Sequence, residues 1–377
     1  MDFTINEEQQ MIHEYGKSLS KTYDRAYWME NAAIHRFPEE MYQQVATDGF
    51  LGTMVPEAFG GAGLGMLEML LFQEGIANEG IPLLSLVVGA CMTMSVLAEH
   101  GTDKQRNHYL PAACKGDIRF CFAITEADAG TNTINIGTLA KPTAQGGFKL
   151  SGNKTYITDA AESDYALVVA RTTPLSETKR KTDGFTLFIV PTKAKGVEMQ
   201  SIPVSIALPE LQYQIFFDEV ELGPENILGE IGKGFNILFD SLNPERILGG
   251  AICTGIGRFA MDKAVAYAND RVVFNGPIGA YQALQHPLAK AKTEVEMASL
   301  MARKAAWLFD QGKPCGAEAN MAKLLAMTTI DLLCNEGRQA QEILAGQRPK
   351  LSKSEYLEFN RNLMKTTRYT PDGLIHE

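Results

Sequence analysis

The hydrophobic period of this chain changes twice, and that change restricts the fold more than any single residue does. From residue 1 to about 116 the chain reads mostly as helix. Met41, Val45 and Phe50 fall at near-helical spacing within 39–50, and the long apolar stretch 67–100 predicts buried helices. From about 117 to 228 the period shortens. Phe148-Lys-Leu-Ser-Gly-Asn, Tyr165-Ala-Leu-Val-Val-Ala-Arg, Phe185-Thr-Leu-Phe-Ile-Val-Pro and Ile215-Phe-Phe-Asp-Glu-Val are short β-branched and aromatic runs, with turn signals between them. From about 229 the helical period returns in three long segments, 235–271, 281–312 and 317 to about 344. Helices, then strands, then helices argue for an α+β fold rather than βαβ alternation. The expectation is an N-terminal helical domain (1–116), a central small β-barrel or sandwich (117–228) and a C-terminal helical bundle (229–377).

With 377 residues and 45% hydrophobic content, the chain can bury the cores of two or three domains. A net charge of −10 without a basic stripe repels phosphates, which argues against nucleic-acid binding. An anionic ligand would need a locally basic site. The six cysteines form no C-x-x-C pair and lie among apolar residues, as reduced core thiols do. The six histidines lack metal-ligand spacing, so no metal is expected. The N-terminus has no basic n-region or apolar h-region, and no apolar run reaches the roughly 18–20 residues of a membrane span. A soluble cytoplasmic protein without stable membrane insertion is expected. Met92, Met94, Met297 and Met301 read as core filler.

Two glycine clusters invite a nucleotide reading and fail it. Gly61-Ala-Gly63-Leu-Gly65 has no strand before it and no acidic residue at the distance a βαβ unit needs. Gly232-Lys233-Gly234 lacks P-loop spacing. Both read as turns.

The stretch Phe120-Cys-Phe-Ala-Ile-Thr-Glu-Ala-Asp-Ala-Gly-Thr-Asn resembles the signature of the acyl-CoA dehydrogenase family. Other matches follow the family's order. Val55-Pro-Glu-Ala-Phe-Gly-Gly is similar to its N-terminal loop, and Gly152-Asn-Lys-Thr-Tyr-Ile-Thr to its Gly-x-Lys-x-(Trp/Tyr)-Ile-Thr. Asn226-Ile-Leu-Gly resembles its domain junction, and Arg271-Val-Val-Phe-Asn-x6-Gln282 its Arg-x-x-Phe-Gly-x6-Gln. The resemblance spans roughly residues 1 to 335. It implies an FAD flavoprotein that dehydrogenates an acyl-CoA thioester in fatty-acid β-oxidation and passes electrons to an electron-transfer flavoprotein. It also implies a homo-oligomer, a tetramer or dimer.

Strand-end residues such as Phe122, Ile124 and Thr125 can offer backbone groups and a hydroxyl to the polar edge of a flat, apolar ring. The resemblance implies that Thr125 bonds the flavin and that Thr131 reaches the cofactor or a substrate phosphate. Tyr156 would stack beside the ring, and Thr158 would lie near its N5 edge. It further implies that Arg271, Phe274 and Gln282 serve the FAD of a neighbouring subunit. Read alone, Arg271 is a helix C-terminal cation facing the dipole.

The chemistry needs a base for the proton α to the thioester, and a carboxylate suits it. Leu242-Asn-Pro-Glu-Arg-Ile-Leu offers Glu245. Asn243-Pro244 can start or kink a helix, which would put Glu245 in its first turn. The resemblance is closest to the isovaleryl and long-chain branch, whose base stands on the first bundle helix, and Asn243 and Arg246 would then lie near the substrate. The runner-up base is Asp372, because most family members carry a late Glu. Here the tail departs from the family pattern: Gln341-Glu-Ile-Leu-Ala-Gly346 and Arg361-Asn362 are only loose counterparts of its motifs. Two alternatives stay open: a same-fold flavin oxidase or monooxygenase, and a non-catalytic homologue with a degenerate tail.

Overall fold

A computed structural model describes residues 4–327 of the chain. The first helix, α1 (Glu7–Thr22), starts where the sequence supplies a reciprocal cap. The Asn6 side chain accepts the Gln9 N–H at 2.8 Å, and the Gln9 side chain accepts the Asn6 N–H at 3.1 Å. Asp24 caps α2 (Arg25–Ala33) by accepting the Tyr27 N–H, without a return bond, and α3 (Glu39–Thr47) follows. Helix α4 (Met66–Ala77) is buried on nearly every side, so it carries no polar face. Its first N–H groups are satisfied from far along the chain: Asp310 accepts from Met66 at 2.6 Å and from Leu67 at 3.0 Å.

The apolar stretch after α4 is not one regular helix. A π-helix occupies Leu86–Met94, and α5 (Ser95–His100) and α6 (Asp103–Cys114) complete the N-terminal helices. The glycine cluster at 60–65 forms a turn, with Gly60 and Gly63 in the left-handed region.

Eight strands follow: β1 (Phe120–Ala123), β2 (Leu139–Pro142), β3 (Phe148–Thr158), β4 (Tyr165–Arg171), β5 (Phe185–Pro191), β6 (Val197–Ile202), β7 (Gln212–Leu222) and β8 (Ile227–Leu228). They form one sheet in the order β6-β7-β3-β2-β4-β5-β8, with β1 parallel to β4. The unbroken apolar runs of β4 and β5 have a physical cause, because both faces are covered. Leu167, Val169, Phe185, Leu187 and Ile189 join the core shared with the helices. Ala166, Val168, Ala170, Phe188 and Val190 fill the sheet's own second core. Each fully buried Leu or Phe on these faces contributes roughly 1.5–3 kcal/mol.

Helix α7 (Gly234–Asp270) then runs for 37 residues, a two-stranded ribbon (Val272–Val273 with Gly276–Pro277) turns the chain, and α8 (Gln282–Asp310) runs back. A further helix begins at 316. Helix α7 lies close on α4. A Cβ on Gly255 would come within 2.5 Å of the Ala77 Cβ and 2.7 Å of the Glu74 carbonyl oxygen, so only glycine permits the approach.

Two expectations need correction. Pro244 does not open a helix but lies inside α7, so Glu245 is about three turns in and not in the first turn. The missing Pro244 N–H costs one hydrogen bond, which the tertiary packing of so long a helix outweighs. Met297 is 51% exposed and fills no core, whereas Met92 and Met94 are buried.

Candidate active site

A cavity of about 720 Å³ opens where β1, β3, the π-helix and α7 converge. Its apolar wall comes from Leu84, Val87, Val88 and Met92 on one side and from Phe235, Leu238 and Leu242 of α7 on another. The wall therefore needs both helical segments of the sequence. The sheet supplies the polar edge. Phe122 stands on β1, Ile124 and Thr125 follow its end, and Thr131 stands in the loop beyond, next to Gly130, whose Cβ position has open space around it.

Tyr156 and Thr158 reach the same cavity from β3. The pairing of β3 with β7 shifts register between Lys154 and Ile157, and at this irregularity Tyr156 adopts φ 57°. A bulky residue in the left-handed region is strained, and such strain concentrates where a side chain must be re-aimed. Here it leaves the ring 61% exposed. The Thr158 hydroxyl is exchanged with the Gln212 side chain at 3.0–3.2 Å.

The charged groups of the cavity come from the C-terminal helices. Glu245 and Arg246 project from α7, and Lys323 comes from the helix that begins at 316. The Lys323 Nζ donates to the Glu245 Oε1 at 2.6 Å, and the Arg246 Nη1 donates to the Asn243 Oδ1 at 3.1 Å. The cavity lining thus holds two cations and one carboxylate, which makes this part of an acidic protein locally basic.

The loop that carries Thr125 and Thr131 is fixed from beneath by a buried ion pair. The Lys154 Nζ donates to the Ile124 carbonyl and to the Glu126 Oε1, both at 2.8 Å. Glu126 also accepts the N–H groups of Gly137 (2.6 Å) and Thr138 (3.0 Å). The Thr155 N–H donates to the Thr125 carbonyl at 2.9 Å.

The cavity therefore unites Phe122, Ile124, Thr125, Thr131, Tyr156, Thr158, Glu245 and Arg246. It does not include Asn243, whose side chain is engaged by Arg246. Nor does it include Arg271, Phe274 or Gln282, for a simple reason of length: Arg271 caps α7 26 residues beyond Glu245, roughly 39 Å along the axis. Phe274 is 89% exposed beside it. Asp372 and the tail motifs from Gln341 onward lie outside the described residues. The sequence reading missed Lys323, Lys154 as more than a motif position, and the wall formed by 84–92. A flat ring with an apolar face and a polar edge fits what is present, namely an apolar wall opposed by an aromatic side chain and the hydroxyls of Thr125 and Thr158.

Comparison with known proteins supplies the family. Family models for the acyl-CoA dehydrogenase N-terminal, middle and C-terminal domains match residues 6–117, 121–220 and 232–346. The acyl-CoA dehydrogenase FadE12 of Mycobacterium tuberculosis is 38% identical over 326 residues, 86% of this chain and 83% of that protein. Among solved structures, butyryl-CoA dehydrogenase from Megasphaera elsdenii superposes with a TM-score of 0.84 at 26% identity, covering 90% of this chain and 89% of its own. The FAD complex of PigA superposes with a TM-score of 0.82 at 25% identity, covering 87% and 86%. The chain belongs to the acyl-CoA dehydrogenase family of FAD-dependent oxidoreductases.

Proposed function

We propose that this protein removes hydrogen from the α and β carbons of an acyl-CoA thioester, with Glu245 as the base. The observation that carries the reading is that the Glu245 carboxylate opens on the same cavity as Thr125, Tyr156 and Thr158. Those three residues, with the backbone of Phe122 and Ile124, would hold the isoalloxazine ring. The bound flavin supplies the acceptor for the β-hydride. Glu245 takes the α-proton, and the apolar wall of Leu84, Val88 and Leu242 excludes water and seats the acyl chain. Lys323 fixes the Glu245 carboxylate through the 2.6 Å bond, so the base meets the substrate in one orientation. Arg246 and Thr131 suit the anionic end of the ligand.

Arg271, Phe274 and Gln282 would serve the cofactor of a second subunit, which accounts for their distance from the cavity and for the exposure of Phe274. Electrons would leave to an electron-transfer flavoprotein. The test is an anaerobic titration of the FAD-loaded protein with a panel of acyl-CoAs while the flavin absorbance is followed. Wild type is expected to bleach with at least one thioester. Glu245→Gln should keep its FAD and bleach roughly 10²–10⁴ times more slowly. Normal bleaching of Glu245→Gln would refute the assignment of the base. Fast peroxide formation in air would refute transfer to a partner flavoprotein in favour of an oxidase.

A further inference from the structure

Lys154 is a fully buried lysine that takes no part in the mechanism above, and a buried ammonium is costly unless its bonds do something. Two of its three protons are accounted for. One goes to the Ile124 carbonyl and one to Glu126, each at 2.8 Å. Ile124 and Thr125 line the cavity, and Tyr156, two residues along β3 from Lys154, lines it from the other side. A single side chain therefore ties the end of β1 to the irregular part of β3. The Thr155 N–H, bonded to the Thr125 carbonyl at 2.9 Å, repeats the tie one residue later. Glu126 extends it to Gly137 and Thr138, across the loop that holds Thr131 and Gly130. Arg171, also buried, braces the same loop by donating to the Ile134 carbonyl at 2.7 Å.

We propose that Lys154 is the positioning residue for the flavin, holding the Ile124–Glu126 backbone against the Tyr156 bulge at the spacing the ring requires. The proposal rests on the reading that this cavity holds the isoalloxazine, and it predicts that cofactor affinity follows the lysine. Burial lowers the Lys154 ammonium to about 8, the attraction of Glu126 offsetting only part of that cost. Glu126 itself is held below its usual range by Lys154 and by its bonds to Thr138 and Gly137, against the opposing effect of burial. Arg171 is the other charge that faces this carboxylate.

Above about pH 8, Lys154 loses its charge and Glu126 loses its buried counterion, so the loop loosens and the flavin is held less tightly. Global stability moves the other way. A lysine whose folded value lies below its unfolded one opposes folding most at low pH, and that opposition fades as pH rises from about 8 towards 10.5. Flavin loss in this window is therefore not unfolding.

The experiment is a fluorescence titration of FAD into apoprotein for wild type, Lys154→Met and the double variant Glu126→Gln/Lys154→Met, with melting temperatures measured alongside. Removing both charges avoids the stranded buried carboxylate of the single variant. The double variant is expected to melt near wild type yet bind FAD at least about tenfold more weakly. Wild-type affinity should fall between pH 7 and 9, and that of the double variant should not. Wild-type-like FAD affinity in the double variant, or a flat wild-type affinity across that range, overturns the proposal. Thr125→Val/Tyr156→Ala is the control. If it binds FAD normally, the cavity is not the flavin site and the underlying reading fails; if it binds weakly while the Lys154 variants bind normally, only the positioning role fails.

Discussion

Replacing Glu74 by Gln should cost the protein about 3 kcal/mol of stability. Glu74 lies on α4 with no exposure to solvent, and four side chains hydrogen-bond to or pair with it closely, while the His13 ring stands at 3.9 Å. The Thr254 hydroxyl (3.0 Å) and the Arg258 Nη1 (2.8 Å) come from α7, and the Ser299 hydroxyl (2.8 Å) and the Arg303 Nη2 (2.9 Å) come from α8. Burial pushes the carboxyl up, but Arg258 and Arg303 outweigh it, and the group is held at about 2 against an ordinary 4.5. At about 1.4 kcal/mol per pH unit, that depression is about 3 kcal/mol, near the roughly 3–5 kcal/mol lost when one partner leaves a buried ion pair. Because the folded value is depressed, this stability is present above about pH 4.5 and is lost as pH falls through about 2. By pH 4 about a quarter of it is gone. Urea unfolding followed by tryptophan fluorescence reads the effect, since Trp28 is buried among the N-terminal helices. With a slope of about 3 kcal/mol/M, the Glu74→Gln midpoint should fall by about 1 M at pH 7, and the gap to wild type should narrow by about a quarter at pH 4. A midpoint shift below about 0.3 M at pH 7, or a gap that does not narrow, would refute the reasoning.

Lys323→Met should keep its FAD yet be reduced by acyl-CoA roughly 10- to 100-fold more slowly, because Glu245 loses the bond that orients it, and Lys323→Arg should recover most of the rate in stopped-flow traces. Asp310→Ala should lower the melting midpoint by the equivalent of about 1–2 kcal/mol, since it strips two N–H groups at the start of α4 of their acceptor, and Asp310→Asn should lose less.

The α+β architecture was legible because each region keeps one period throughout. Strands β4 and β5 could be read although both faces are buried, since short β-branched runs between turns do not resemble a helix. Glu245 could be picked out, but its depth in α7 could not: Asn243-Pro244 looks like a helix start, and only contacts with α4 and α8 tell the chain to continue through it. Lys323 carried no local signal, because its partner lies 78 positions away. Lys154 was visible as a motif position without a role, its carbonyl acceptor being 30 residues earlier. The π-helix at Leu86–Met94 was hidden because a segment whose one polar residue is Thr93 has no polar stripe from which a pitch can be read.

That wide-pitched turn has a consequence for how the cavity can diverge. In a π-helix the backbone bonds reach one residue further than in an α-helix, so a single residue removed between Leu86 and Met94 would be absorbed by tighter winding, with the flanking residues kept near their present phase. Only the side chains within the segment, Val87, Val88 and Met92 among them, would then meet the cavity at new angles, with every amino acid on either side unchanged. The shape of this compartment is thus open to revision by indels, a route that point-mutation surveys of the lining would overlook.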